Sequence, residues 1–86
     1  MPNIEIYSSP FCGFCHAAKR LLNKKNVEFT EIDIMVQPQR RAEMMKRANG
    51  GRTVPQIFIN GVHVGGSDEL HALDRNGRLD PMLKAG

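Results

Sequence analysis

The 86-residue sequence contains no tryptophan, one tyrosine, four phenylalanines and only two cysteines. Each scarcity excludes something. A small secreted scaffold held by disulfides typically carries about four to eight cysteines, so this chain is not one, and a reducing compartment is the expected setting. Aromatic residues this thinly scattered do not interleave with basic ones into a stacking platform for bases, which argues against nucleic-acid binding. No apolar run approaches the ~20 residues that a membrane-spanning helix needs. The start lacks the basic stretch and apolar core of a secretion signal, so no membrane association and a cytoplasmic location are expected. No repeat, low-complexity tract or composition shift divides the chain, and its length suits a single domain, 1–86, with one modest core. Twelve lysines and arginines against nine aspartates and glutamates leave a charge of +3. That bias suits a small anionic ligand and equally describes solvated helix faces.

Both cysteines lie in one stretch, Cys12-Gly13-Phe14-Cys15. A disulfide across so short a loop removes little unfolded-chain entropy, so stapling is a poor reason for the pair and redox chemistry a better one. A sulfur at the opening of a helix faces unpaired backbone N–H groups and the positive end of the helix dipole, both of which favour thiolate. Cys12 is therefore the expected nucleophile. Cys15, one turn further on the same side, is the expected resolving thiol, able to attack a mixed disulfide formed at Cys12. The competing readings are an inert buried pair and half of a zinc site. Zinc would have to recruit two of His16, His63 and His71, and no two of these are closely spaced as the histidines of a structural zinc site usually are.

Hydrophobic spacing orders the rest. Ile4 and Ile6 alternate with polar neighbours as a first strand, and Ser8-Ser9-Pro10 breaks the pattern before the cysteines. Phe14, Ala18, Leu21, Leu22 and Lys25 fall at helical spacing, predicting a helix over about 13–25 with Lys19, Arg20 and Lys24 on its other face. Val27, Phe29, Ile32 and Ile34 mark a second strand, parallel to the first through a right-handed crossover. Pro38 opens a second helix through Met44 and Met45 to about Ala48, stopped by Asn49-Gly50-Gly51. Val54 to Val64, turning at Asn60-Gly61, reads as a hairpin with a type I′ turn. Gly65-Gly66 ends it, Ser67-Asp68-Glu69 opens a third helix carrying Leu70 and Leu73, and a last short turn holds Leu79, Met82 and Leu83. The fold class is α/β, in the order β-α-β-α-β-β-α around one four-stranded mixed sheet.

With this order, and with Cys12-Gly13-Phe14-Cys15, Thr53-Val54-Pro55 and Gly65-Gly66-Ser67-Asp68 at the right element boundaries, nearly the whole chain resembles the dithiol glutaredoxins. The resemblance implies a thioredoxin fold with three or more flanking helices, and glutathione-dependent reduction of protein-glutathione mixed disulfides and protein disulfides. Glutathione is then the reductant, not a permanently bound cofactor, and glutathione reductase is an indirect partner through it. A monomer is expected. The resemblance also makes Pro55 cis, which turns the Val54 backbone outward to pair with a tripeptide like an added strand. Phe14 and Thr53 join Val54 and Pro55 in that glutathione site. Gly66, Ser67 and Asp68 would take the γ-glutamyl end, with backbone N–H groups for its carboxylate and the Asp68 side chain for its ammonium. Arg41, or Arg40 in its place, is the cation for the glycine carboxylate. Three departures from the commonest dithiol pattern stand out. Gly13 and Phe14 replace proline and tyrosine, and Ser9 lies near the place of a lysine. A small residue after the first cysteine accompanies, in some family members, a [2Fe-2S] cluster bridged between two protomers by that cysteine, here Cys12, and glutathione. Cluster carriage or sensing is thus the alternative function.

Overall fold

In β1 (Ile4–Ser8) side chains alternate between two covered faces, and this alternation sets the layers of the molecule. The computed structural model describes residues 2–84. After β1 come α1 (Gly13–Lys24), β2 (Thr30–Asp33), α2 (Arg40–Arg47), β3 (Gln56–Ile59), β4 (Val62–Gly65), α3 (Ser67–Arg75) and α4 (Leu79–Lys84). The strands form one mixed sheet in the order β2-β1-β3-β4, with β1 and β2 parallel and the other neighbours antiparallel. Ile4, Ile6, Ile57 and Ile59 face one side and pack on Ala18, Leu21 and Leu22 of α1, Leu70 of α3, and Leu79 and Leu83 of α4. Tyr7, Ile32, Ile34 and Phe58 face the other and pack on Met44 and Ala48 at α2.

The helix boundaries follow from local chemistry. Asn26, at φ 58°, leaves α1 through the left-handed region, which asparagine tolerates better than other non-glycine residues. Asn60 and Gly61, at φ 52° and 81°, make the β3–β4 turn, as the Asn-Gly pair predicts. Several boundaries differ from the sequence reading: β1 keeps Ser8, and β3 starts only at Gln56, two residues after Val54. β2 is only four residues long, because Val27 and Phe29 pack beside the first core cluster before pairing with β1 begins. Pro38 precedes α2: its carbonyl accepts from Arg41 N–H in a tight turn, and the helix starts at Arg40. The segment holding Leu79 and Leu83 is a six-residue helix, with both leucines buried under α1 and α3.

Polar contacts fasten α2 to the sheet. Arg47 forms a two-pronged pair with Glu5 at 2.9 and 3.0 Å and lies 4.1 Å from the Phe58 ring centroid. It also donates to Tyr7 Oη, whose hydroxyl donates to Glu43. Arg40 holds Glu43 from the same helix at 2.8 Å. No helix among the described residues is long and apolar enough to cross a membrane.

Candidate active site

Cys12 is the N-cap residue of α1, with extended backbone angles and a side chain that accepts from the Cys15 N–H at 3.1 Å. The capping sulfur thus occupies the position that Ser or Asp oxygen usually fills, satisfying one of the free donors of the first turn. In its protonated form the same sulfur donates to the Val54 carbonyl at 3.6 Å. Both thiols are free, but they differ in access, since Cys12 is half-buried and Cys15 fully buried. Burial first, and the adjacent Cys12 sulfur second, push the Cys15 thiol up to about 12. At neutral pH it keeps its proton.

Polar contacts tie down the segment that leads into Cys12. The His16 ring, at Nε2, bonds the Pro10 carbonyl at 3.0 Å. Behind it, buried Ser8 donates to Glu31 at 2.5 Å, and Lys19 pairs with the same carboxylate at 2.9 Å. These two partners hold the Glu31 carboxyl below its ordinary range.

Beside the cysteines lies a groove of about 160 Å³ lined by Phe14, Thr53, Pro55, Gly66, Ser67, Asp68 and Glu69. The Val54–Pro55 peptide is cis. Val54 is not part of the lining; its carbonyl instead meets the Cys12 sulfur. A larger depression of about 600 Å³ opens at the other end of β1, near Pro2, Asn23 and Glu28, away from both sulfurs. The groove wall is built by the start of α3. Gly66 is the N-cap, and its N–H donates to the Glu69 carboxylate at 2.6 Å, so the open donors of this helix end begin at Ser67 and Asp68. Gly65, at φ 115°, has no room for a side chain, because a Cβ there would sit 2.8 Å from Glu69 Oε1. Ser67 is buried, its hydroxyl 3.2 Å from His71 Nδ1, while the Asp68 side chain is exposed.

A family model, Glutaredoxin, matches residues 4–64. Glutaredoxin 3 of Escherichia coli K12 is 52% identical over 84 residues, spanning 98% of this chain and 100% of its own length. The chain belongs to the glutaredoxin family. Among solved structures, the glutaredoxin of Brucella melitensis is 51% identical with a TM-score of 0.82, covering 95% of this chain and 88% of its own. A buckwheat glutaredoxin-glutathione complex is 30% identical with a TM-score of 0.86, covering 95% of this chain and 76% of its own. The mixed four-stranded sheet and its flanking helices match this thioredoxin-fold glutaredoxin architecture. Glutaredoxins are thiol-disulfide oxidoreductases that act with glutathione and glutathionylated proteins.

In this glutaredoxin the fold gathers Cys12, Cys15, Phe14, Thr53, Val54, Pro55, Gly66, Ser67 and Asp68 at one end of the sheet. Arg41 stands outside the groove lining. Its guanidinium donates to the Arg52 carbonyl at 2.8 Å and so braces the segment leading into Thr53, whereas Arg40 is taken up by Glu43. Two residues at the site, Glu69 and Gln56, had no site role in the sequence reading. Glu69 carried a signal, since an acidic residue three positions after an N-cap reaches back to it. Gln56 carried none; its side chain donates to the Thr53 carbonyl at 3.0 Å and accepts from His63 at 2.7 Å. Each of the three histidines is engaged locally. No group of three or more potential metal-ligating His, Cys, Asp or Glu side chains occurs among the described residues.

Proposed function

We propose that this chain reduces protein-glutathione mixed disulfides and protein disulfides at the expense of glutathione, with Cys12 as nucleophile and Cys15 as resolving thiol. The observation that carries the reading is the accessible Cys12 sulfur at the N-cap of α1, receiving the Cys15 N–H at 3.1 Å while Cys15 itself is buried. One thiol is half-buried and within reach of attack. The other is held back, protonated, within one helical turn.

In the single-thiol route the Cys12 thiolate attacks the glutathione sulfur of the mixed disulfide. A new S–S bond joins Cys12 to glutathione, the old one breaks, and the substrate cysteine leaves as thiolate. A second glutathione thiolate then attacks that glutathione sulfur, releasing oxidised glutathione and regenerating the Cys12 thiolate. In the two-thiol route Cys12 forms a mixed disulfide with a substrate cysteine. Cys15 loses its proton, attacks the Cys12 sulfur and expels the substrate thiolate, leaving the Cys12–Cys15 disulfide for two glutathiones to reduce.

The groove suits glutathione. Its γ-glutamyl carboxylate meets the Ser67 and Asp68 N–H groups, its ammonium the exposed Asp68 carboxylate, and its backbone the Val54 edge beside Phe14, Thr53 and Pro55. Arg41, already beside Arg52, is the cation for the glycine carboxylate. A [2Fe-2S] cluster fits less simply. A single chain presents one accessible sulfur, Cys12, so the remaining ligands would have to come from a second copy and two glutathiones.

Turnover of a small glutathione mixed disulfide, coupled to glutathione reductase and NADPH, tests the proposal. Turnover by a colourless monomer that Cys12→Ser abolishes and Cys15→Ser retains is the expected result. Full activity in Cys12→Ser, or a coloured dimer without turnover, would overturn it.

A further inference from the structure

Five large apolar side chains are exposed among the described residues, and four of them surround the cysteine end of the sheet: Phe11 at 89%, Phe14 at 66%, Met35 at 61% and Val36 at 75%. Single exposed hydrophobics are ordinary. Their gathering at one end is not, and topology explains how it arises. β1 and β2 are parallel neighbours, so the chain leaves both at the same edge of the sheet, toward Phe11 and Cys12 from one strand and toward Met35 and Val36 from the other. The Ile34 N–H bonds the Ser8 carbonyl at 3.0 Å, fixing the two exits side by side.

The β2 exit is also rigid. The Asp33 carboxylate accepts from the Met35 and Val36 N–H groups at 2.8 and 3.3 Å, and the Asp33 carbonyl accepts from Gln37 N–H at 2.9 Å. Two apolar side chains are therefore displayed on a fixed turn, which lowers the ordering cost of docking. Lys19 is paired with Glu31 and Arg40 with Glu43, and the Asp33 carboxylate is turned onto the Met35 and Val36 N–H groups. Apart from that one acid, the surface offers a partner apolar contact.

The proposed glutathione groove lies on the β3–β4 side of Cys12, walled by Thr53, Pro55 and Gly66–Asp68. That leaves the β2 side for the rest of a mixed-disulfide substrate. We infer that Phe11, Met35 and Val36 form the docking rim for the polypeptide half of the substrate and select cysteines flanked by a neutral apolar side chain. This inference rests on the reading of Cys12 as the exchanging sulfur.

Two glutathionylated peptides that differ only in leucine or serine next to the cysteine test it, with a small glutathione mixed disulfide run in parallel. The wild type is expected to prefer the leucine peptide about tenfold in kcat/KM, mainly through KM. The double variant Met35→Ser/Val36→Ser is expected to bring that ratio near one while turning over the small disulfide unchanged. A second variant, Val36→Asp, is expected to weaken the leucine peptide and favour one with lysine in its place. No preference in the wild type, or a preference that survives both variants, overturns the rim alone. No turnover of the small disulfide by the wild type overturns the parent reading, and the rim with it.

Discussion

The burial of Cys15 gives a prediction that is independent of catalysis. Its thiol stands at about 12 in the folded chain against an ordinary 9.0. Between these values the folded state keeps a proton that the unfolded state has released, so unfolding is favoured as pH rises through the window. The stabilisation is complete below about pH 9 and is lost as pH climbs toward about 12, at roughly 1.4 kcal/mol for each unit, or about 4 kcal/mol in all. Only the lower half of this window is accessible before general alkaline unfolding. Urea unfolding of the wild type and of Cys15→Ala, in a non-thiol reductant, isolates the effect, because Tyr7 and the lysines titrate in both proteins. The stability difference between them should narrow by about 2 kcal/mol from about pH 9 to 10.5. A constant difference would refute the argument that burial holds the proton on Cys15. The same ordering of causes bears on mechanism. Burial is the largest and the Cys12 sulfur the next, so locking Cys12 in a mixed disulfide removes the second. In the proposed two-thiol route Cys15 therefore gives up its proton more readily once Cys12 has reacted.

Other perturbations have equally definite outcomes. Cys15→Ser should lose reduction of protein disulfides while retaining the single-thiol reaction, as read in parallel coupled assays with the two substrate types; equal loss of both would mean the two roles are misassigned. Gly65→Ala must place a Cβ at a positive φ of 115° and 2.8 Å from Glu69 Oε1. It should destabilise the fold by about 1–3 kcal/mol in thermal unfolding and raise KM for glutathione as the α3 start shifts. Arg47→Met strips Glu5 of its two-pronged partner and Tyr7 of a donor, and should cost about 1–3 kcal/mol of stability in urea titration with turnover changed less than about twofold.

Much of this arrangement was legible in the sequence because local chemistry and tertiary packing agree there. Ile4 and Ile6 at period two, Leu21 and Leu22 at helical spacing, and Asn60-Gly61 at the turn all required what the fold supplied. The groove could be read because its parts need special residues: a cysteine at an N-cap, a proline before a strand, and glycines before a helix. What could not be read depends on partners distant in sequence. Gln56 braces Thr53 only because β3 turns its side chain back along its own entry, and nothing in its neighbours announces that. The proposed choice of Arg41 over Arg40 rests on Glu43 capturing Arg40 and the Arg52 carbonyl receiving Arg41. Helix α4 exceeded the short turn expected of it because Leu79 and Leu83 gain burial only once α1 and α3 are in place.

The proposed function requires that Cys12 take the glutathionyl group itself. Cys15→Ser, mixed briefly with a glutathionylated peptide, quenched by acid and mapped by mass spectrometry, measures this directly. One glutathionyl group on Cys12, with the peptide released as free thiol, is the expected result. Peptide attached to Cys12 with glutathione released, or an unmodified Cys12 after the peptide has been reduced, would contradict it.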